Sequence, residues 1–377
     1  MNDPTSPRPD ILEQVYRTHD PHLAGHQQAE AVVAGAYGIT VLCSANPRSE
    51  GEHTWLIQLE EDGSVGWERH YAPGQGTGRA IAPLPGGGFV IAGDVQRSEM
   101  EYQAQLMRVN ADGSVIAGTT FGPYGAVGFR TVALLNDGST LAGGTARWKG
   151  WLLCADDELR TSWELPIDDV DVVNGLAPIV EGAFAMVASQ EQSTTTLGMT
   201  LLAAFAGDRR VRYRKRLPTA GRGEPAALAV LPDGDLVAVG HYSESERDVA
   251  QLWVVRVDTA GEVAWERFLG PVDEDRRGRA IAPLADGGVV VAGDALRDGR
   301  RSLRVVHLAV DGTVVWERAY GGEREYDVAR GIARTEDDGL VVVGSTKSKE
   351  LGKTNAWVLR LDGDRSLQWD RVFGSAR

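Results

Sequence analysis

Residues 78–94, GRAIAPLPGGGFVIAGD, and residues 278–294, GRAIAPLADGGVVVAGD, are near copies of one another, 200 positions apart. Weaker copies lie between them and divide the interval into units of about 50 residues. Each copy joins a short apolar run to a β-branched run through a glycine-containing turn. A turn such as Asp286-Gly287 between two such runs is typical of a β-hairpin, because its positions need a positive φ. The quoted segments therefore predict a repeated hairpin.

Each unit extends this hairpin to four predicted strands. The third strand is typified by residues 252–258, LWVVRVD, and the fourth by residues 263–270, VAWERFLG. Four strands joined by hairpins form one antiparallel sheet, and the strands are apolar on both faces. Such a sheet needs neighbours on both faces, which radial stacking in a closed ring provides. The repeat therefore indicates a β-propeller.

Two repeated positions count the blades. The residue that starts each first strand, called here an opening residue, is found at Glu30, Arg79, Arg130, Asn174, Ala226, Arg279 and Arg330. An aromatic residue of the fourth strand recurs at Trp67, Trp163, Tyr213, Trp265, Trp316 and Trp369, with Ala117 in the second unit. We therefore predict an all-β fold, a seven-bladed β-propeller of four-stranded antiparallel blades with about 50 residues each. The blades are expected at residues 26–74, 75–122, 123–167, 168–218, 219–270, 271–321 and 322–377.

Residues 1–25 precede the first predicted blade and contain one further strand signal. Residues 12–20, LEQVYRTHD, resemble a fourth strand that has no first, second or third strand of its own. We predict a strand over residues 12–19 that either closes the ring beside the last blade or packs outside it as an additional strand. Closure by contact with the last blade is the alternative we favour.

The repeat pattern DGG-(F/V)VVAG…WVLRLDxDGxxxWERxYG resembles bacterial propeller repeats grouped near the quinoprotein-like (PQQ-like) propellers. Residues 255–266, VRVDTAGEVAWE, look like the tryptophan-docking repeat of that superfamily. The resemblance implies the propeller architecture, with the first strand of each blade lining a central channel. Its members include enzymes and assembly scaffolds, so it implies no single activity. No residue of this chain is carried over as a quinone ligand.

The composition argues against several kinds of partner. The formal net charge is −14, whereas nucleic acids and anionic membranes are bound by clusters of Lys and Arg, so we expect neither. Cys43 and Cys154 lie in apolar runs and indicate buried thiols rather than disulfide or zinc ligands. No signal-peptide pattern and no apolar run of roughly eighteen residues is present. We therefore expect a cytoplasmic protein.

Four opening residues are arginines: Arg79, Arg130, Arg279 and Arg330. By the arrangement that the resemblance implies, they lie around one mouth of the channel, on the face that carries the second-to-third-strand loops. Like charges placed together need compensation. Either the mouth receives an acidic peptide, a phosphate or a carboxylate, or each arginine pairs with a local acid such as Asp327 or Glu325, or with a backbone carbonyl.

Nine of the ten tryptophans recur at two positions of the repeat, and we interpret them as packing between blades. Trp148 falls outside both series, in the loop between the second and third strands of the third blade, and is a candidate for contact with a ligand or partner. The other second-to-third-strand loops are polar and vary in sequence. Loops on a rigid scaffold commonly carry recognition, so we assign binding to this face, although tolerance of surface loops to variation is the competing explanation.

No motif for catalysis, a cofactor or a metal is found. We therefore favour a non-enzymatic interaction module or scaffold that binds a protein or peptide through its loop-rich face. A sensor of a small anion or carbohydrate at the channel mouth is one alternative. A propeller enzyme, such as a lyase, a hydrolase or a quinone-dependent dehydrogenase, is the other.

Overall fold

The computed structural model describes residues 14–18, 25–35, 38–47, 52–71, 76–98, 101–125, 127–190, 199–217, 222–244, 249–271, 273–321, 326–347 and 353–375. Six of its sheets have four strands and the seventh has five. In every sheet four strands that are consecutive in the chain pair in antiparallel order. The predicted seven-bladed β-propeller is therefore confirmed.

The first three blades follow strand β1 (Gln14–Thr18). Blade 1 consists of β2 (Gly25–Gly35), β3 (Gly38–Pro47), β4 (His53–Leu59) and β5 (Val65–His70). Blade 2 consists of β6 (Thr77–Pro83), β7 (Phe89–Ser98), β8 (Glu101–Val109) and β9 (Val115–Gly125). Blade 3 consists of β10 (Val127–Leu134), β11 (Thr140–Ala146), β12 (Lys149–Ala155) and β13 (Thr161–Ile167). Strand β9 extends to Gly125, past the blade boundary predicted at residue 122, and β10 begins at Val127.

The remaining four blades repeat this plan. Blade 4 consists of β14 (Val172–Pro178), β15 (Phe184–Gln190), β16 (Met199–Phe205) and β17 (Val211–Leu217), with a 3-10 turn at Val180–Gly182. Blade 5 consists of β18 (Arg222–Val230), β19 (Leu236–Ser243), β20 (Gln251–Val257) and β21 (Val263–Leu269). Blade 6 consists of β22 (Asp275–Pro283), β23 (Val289–Arg297), β24 (Arg300–Leu308) and β25 (Val314–Gly321). Blade 7 consists of β26 (Asp327–Arg334), β27 (Leu340–Lys347), β28 (Thr354–Leu361) and β29 (Leu367–Ser375).

The strand order defines two ends of the ring. The turns between first and second strands and between third and fourth strands lie at one end, which we call the turn face. The starts of the first strands and the connections between second and third strands lie at the other end, which we call the mouth face. This follows from antiparallel pairing of consecutive strands in each blade.

The apolar core is divided among the blade interfaces, with one buried cluster between each pair of adjacent blades. Strand β27 shows why its sequence has no polar face. Val341 and Val343 pack towards blade 1, while Leu340 and Val342 pack towards blade 6. Successive side chains of a strand point to opposite faces, so a continuous β-branched run fits a sheet that is covered on both sides.

The repeated tryptophans pack between strands and blades. Trp253 of the third-strand series is fully buried, and its indole N–H donates to Glu266 at 2.7 Å. Trp265 of the fourth-strand series donates across the interface to the carbonyl of Val310 at 2.9 Å. A Cβ atom on Gly312 of that turn, where φ is 79°, would lie 2.8 Å from a Trp265 ring carbon. The turn glycine therefore permits both the turn and the docked indole.

The ring closes between blades 7 and 1 through the same contacts as elsewhere. The indole N–H of Trp369 donates to the Glu61 carbonyl at 2.9 Å, and Arg371 donates to the Asp62 carbonyl at 2.8 Å. Strand β1 pairs in parallel with β29, so blade 7 has a fifth strand at its outer edge. Because β1 precedes blade 1 in the chain, this pairing also joins the two ends of the ring.

Candidate functional site

Every blade has a β-bulge in its first strand, and the extra residue is the opening residue. In blade 2, for example, Gly78 and Ala80 pair with consecutive residues of β7 while Arg79 is skipped. The same interruption occurs at the other opening residues, namely Glu30, Arg130, Asn174, Ala226, Arg279 and Arg330. A bulge locally redirects a side chain out of the regular alternation. The repeat therefore presents one redirected residue from each blade.

These seven opening residues line a single cavity of about 620 Å³, which we call the mouth cavity. Since every blade contributes to it, the cavity lies at the axis of the ring, at the mouth face. The structure thus brings Arg79, Arg130, Arg279 and Arg330 together as the sequence predicted.

Two of the four arginines pair within their own blade. The Arg79 Nε donates to Asp94 at 3.1 Å, and the Arg279 Nε donates to Asp294 at 2.9 Å. Each aspartate follows its arginine by 15 positions, so the two near-identical segments contain both partners. Asp294 is fully buried and also pairs with Arg301. These pairs hold two arginines at the wall of the cavity.

Arg330 finds its partners in the adjacent blade. It lies 3.4 Å from Glu30 and donates to Gln28, both on β2 of blade 1. The acid considered from the sequence, Asp327, instead accepts a hydrogen bond from Thr346 at 2.6 Å. Glu325 lies outside the described residues. The position 15 residues after Arg330 is Ser345 rather than an aspartate, which leaves Arg330 to pair across the blade interface.

Arg130 differs from the other three arginines. It is exposed, and among the residues that the structure describes no hydrogen bond or ion pair reaches its guanidinium. The residue 15 positions later is Thr145, which has no charge. Charge compensation at the mouth is therefore incomplete at blade 3.

Blade 5 adds three polar residues that the sequence analysis missed. Arg222, Glu224 and His241 line the mouth cavity, and Glu224 lies 3.1 Å from Arg222 and 3.5 Å from His241. His241 follows the opening residue Ala226 by the same 15 positions that separate Arg79 from Asp94. That shared offset is the signal that could have identified it.

His241 is held neutral by its surroundings. Desolvation is the main cause that lowers its pKa to about 4. The carboxylate of Glu224 opposes this shift, whereas Arg277 and Arg279 add to it. The imidazole is thus uncharged near pH 7 and leaves the positive charge of the mouth to the arginines.

Trp148 lies beside the mouth cavity. It is 73% exposed at the tip of the β11–β12 hairpin. A groove of about 330 Å³ between blades 2 and 3, which we call the 2/3 groove, is lined by Arg79, Asp94, Tyr102, Val127, Gly128, Phe129, Arg130, Thr145 and Trp148. Because Arg79 and Arg130 line both spaces, the groove adjoins the mouth cavity.

Parts of the predicted recognition loops, at residues 48–51, 191–198, 245–248 and 348–352, lie outside the described residues. In the part of the chain that is described, no group of three or more His, Cys, Asp or Glu side chains is placed to hold a metal ion. The described helical segments include none with the length and apolar character needed to cross a membrane.

No protein-family model matches this chain, and no curated protein matches it in sequence. Solved structures resemble it in fold. A protein from Lactobacillus plantarum aligns with a TM-score of 0.56 and 12% identity, covering 93% of this chain and 97% of that one. The Pan2 WD40 domain of Neurospora crassa aligns with a TM-score of 0.50 and 10% identity, covering 80% of each chain.

A puromycin hydrolase aligns with a TM-score of 0.55 and 20% identity. The match covers 96% of this chain and 55% of the hydrolase, so this chain spans about half of that enzyme's length. At such identities the likeness concerns the fold alone.

Proposed function

We propose that the protein is a non-enzymatic interaction module whose mouth cavity binds an acidic peptide segment of a protein partner. The observation that carries the proposal is the exposed guanidinium of Arg130, which no described carboxylate neutralises. It stands in a ring with Arg79, Arg279 and Arg330. The uncompensated positive charge of Arg130 raises the free energy of the empty mouth, and an incoming carboxylate compensates it.

The chemistry of the mouth favours a carboxylate-bearing chain. A guanidinium presents a planar fork of donors that matches a carboxylate in a bidentate contact. The cavity is lined mainly by charged and polar side chains, whereas pockets for drug-sized molecules are mostly apolar. The adjoining 2/3 groove lets an extended peptide continue from the axis towards the rim of the ring. These features support a peptide rather than a compact apolar ligand.

A selection experiment with the full chain tests the proposal. Peptides displayed on phage are selected on the immobilised protein, and the enriched sequences are synthesised and measured by fluorescence anisotropy. We expect enrichment of Asp and Glu, affinity that falls as salt rises, and a loss of about tenfold or more in Arg130→Ala. Arg297→Ala is the matched control, since Arg297 lies on the same face, pairs with Asp273 at 3.1 Å and is absent from the cavity lining.

Two outcomes would contradict the proposal. One is selection of peptides without acidic enrichment, or equal affinity for wild type and Arg130→Ala. The other involves inorganic phosphate as a second probe, because a small anion satisfies the same arginines. Saturable thermal stabilisation by phosphate, together with no peptide selection, would make the mouth a small-anion site instead.

We also infer that the repeat belongs with the quinoprotein-like propeller repeats of bacteria. The docking of Trp265 and Trp369 on the turn of the following blade supports this inference. A cytoplasmic location stays a prediction, with which the buried free thiols of Cys43 and Cys154 agree.

A further inference from the structure

Two hairpin tips on the mouth face have the same geometry and very different sequences. Arg147 and Trp148 connect β11 to β12 with φ angles of 53° and 65°, and Asp298 and Gly299 connect β23 to β24 with 51° and 76°. Asp-Gly is a favoured sequence for a two-residue turn with two positive φ angles. A bulky residue such as tryptophan rarely adopts that conformation. The same pair of positive φ angles therefore forms in blade 6 without a tryptophan, so the turn geometry does not explain why blade 3 has Trp148.

Packing does not account for Trp148 either. The indole is 73% exposed, whereas the fully buried Trp253 fills the interface between blades 4 and 5. An exposed aromatic ring on an unfavourable backbone is costly to the free protein, and such costs are concentrated at functional sites. Contact with another molecule is the role left for this side chain.

The 2/3 groove has two accessible aromatic side chains. The half-buried Tyr102 lines it together with the exposed Trp148, whereas the Phe129 ring is fully buried in the core between blades 2 and 3, stacked on Trp151 with centroids 5.1 Å apart. Arg130 lies where the groove meets the mouth cavity. Two accessible aromatic rings thus line the groove that contains the guanidinium with no described partner.

We propose that the 2/3 groove binds an aromatic side chain of the same acidic peptide whose carboxylate contacts Arg130. The inference rests on the proposed function and adds a second determinant to it. Because Arg130 stands at the junction of the two spaces, the acidic and aromatic residues are neighbours in the peptide, where Cα atoms lie about 3.8 Å apart. The partner segment therefore combines an acidic residue with an adjacent aromatic one.

The charges of the groove favour an aromatic ring over a cation. A lysine or arginine of the partner would gain from the face of Trp148, but Arg79 and Arg130 would repel it. The acid of the groove, Asp94, is already engaged by Arg79 at 3.1 Å. A neutral ring gains offset or edge-to-face stacking without this electrostatic cost.

Three capped dipeptides measured against wild type separate the two determinants. The probes are Ac-Glu-Tyr-NH2, Ac-Glu-Ala-NH2 and Ac-Gln-Tyr-NH2, with dissociation constants from titrations observed by ligand NMR. We expect the first to bind about fivefold more tightly than the second, because of the ring, and more tightly than the third, because of the carboxylate. The ring advantage should disappear in Arg147→Asn/Trp148→Gly, and the acid advantage in Arg130→Ala.

The double variant also distinguishes a binding role from a structural one. It installs Asn-Gly, a favoured sequence for this turn, so we expect its midpoint temperature to rise by a few degrees. Arg147→Asn alone is the control and keeps the ring advantage. Equal affinity for the first two peptides in wild type, with the acid advantage intact, would overturn this inference and leave the proposed function standing. Failure of all three probes to bind would contradict both.

Tighter binding of glucose or maltose than of Ac-Glu-Tyr-NH2, abolished in the double variant, would also overturn the inference. Such a result would assign the groove to a sugar. A lower midpoint temperature of the double variant with an unchanged ring advantage would place Trp148 among the structural residues, against the proposal.

Discussion

The two faces of the ring carry charge in different ways. On the turn face, aspartates at equivalent positions accept hydrogen bonds within their own turns, and some, such as Asp233 and Asp235, also pair with an arginine of the same blade. Asp62 accepts from the backbone N–H of Ser64 at 2.8 Å, and Asp311 accepts from that of Thr313 at 2.9 Å. Such contacts span two residues and stabilise a local turn. These carboxylates belong to the architecture of the repeat.

On the mouth face, the pairing of the charged groups changes from blade to blade. Arg279 pairs with Asp294 on the neighbouring strand, and Arg330 pairs with Glu30 of the next blade. At blade 3 the arginine is retained without an acid at the equivalent place. Residues that follow the repeat build the ring, whereas departures from the repeat mark the surface where recognition is expected.

The largest expected effect comes from removing a packing contact between two blades at the turn face. Trp369→Ala deletes an indole that is 7% exposed at the interface of blades 7 and 1, so we expect a loss of about 3–5 kcal/mol of unfolding free energy. Urea denaturation measures it. Trp148→Ala on the mouth face is the matched variant and should change stability by less than about 0.5 kcal/mol. Equal losses for the two variants would remove the distinction between the faces.

The two faces should also respond to acid through different groups. At the mouth, the folded pKa of His241, about 4, lies below its ordinary value of 6.5. The unfolded chain then binds more protons between these values, so the stability that is present above pH 6.5 is lost as pH falls towards 4. The expected loss is on the order of 2 kcal/mol.

The control for that pH range is His241→Gln, in which the loss between pH 6.5 and 4 should become smaller. The remaining loss comes in part from His307 of the turn face, because burial lowers its pKa below 6.5 as well. On the turn face, hydrogen bonds from Ser64 to Asp62 and from Thr313 to Asp311 lower the pKa of each carboxyl below its ordinary 3.8. The stability that these two carboxylates contribute is present above pH 3.8 and is lost as the pH falls through their lowered pKa values. An identical pH profile for wild type and His241→Gln would contradict the assignment of the first range to the mouth.

The smallest expected effect compares two arginines of the same ring. Arg279→Ala leaves the buried Asp294 with Arg301 as its remaining ionic partner, so we expect a loss of about 1–2 kcal/mol. Arg130→Ala removes an exposed side chain and should change stability by less than about 0.5 kcal/mol. Thermal and urea denaturation measure both variants. A larger loss in Arg130→Ala would show that this arginine has a structural partner after all.

Much of the fold could be predicted because its determinants are local. Asp-Gly turns and β-branched runs such as residues 289–292 specify hairpins, and strands without a polar face require neighbours on both sides. The same repeat placed four arginines at one mouth. The fifth strand of blade 7 was anticipated only as one of two arrangements, because strand direction and edge depend on contacts more than 350 residues apart in the chain.

Other parts of the site were missed because they depend on distances between strands. Asp94 and Asp294 stand in the very segments that revealed the repeat, yet their pairing with Arg79 and Arg279 requires the bulge that redirects the arginine. Arg222, Glu224 and His241 enter the cavity from blade 5, where the opening residue is alanine. The repeat predicts which positions are equivalent in the seven blades, but it does not predict which side chains surround each of them.

The number of blades, the strand content of each blade and the two faces of the ring can be read from the sequence, since turn chemistry and hydrophobic pattern act over a few residues. Which charges neutralise one another depends on the three-dimensional arrangement of the blades. Arg330 meets Glu30 across 300 positions of the chain because the ring closes, and Arg130 meets no described acid because Thr145 stands where blades 2 and 6 have aspartate. Electrostatic compensation depends on distance in space, and in a propeller that distance is set by closure of the ring.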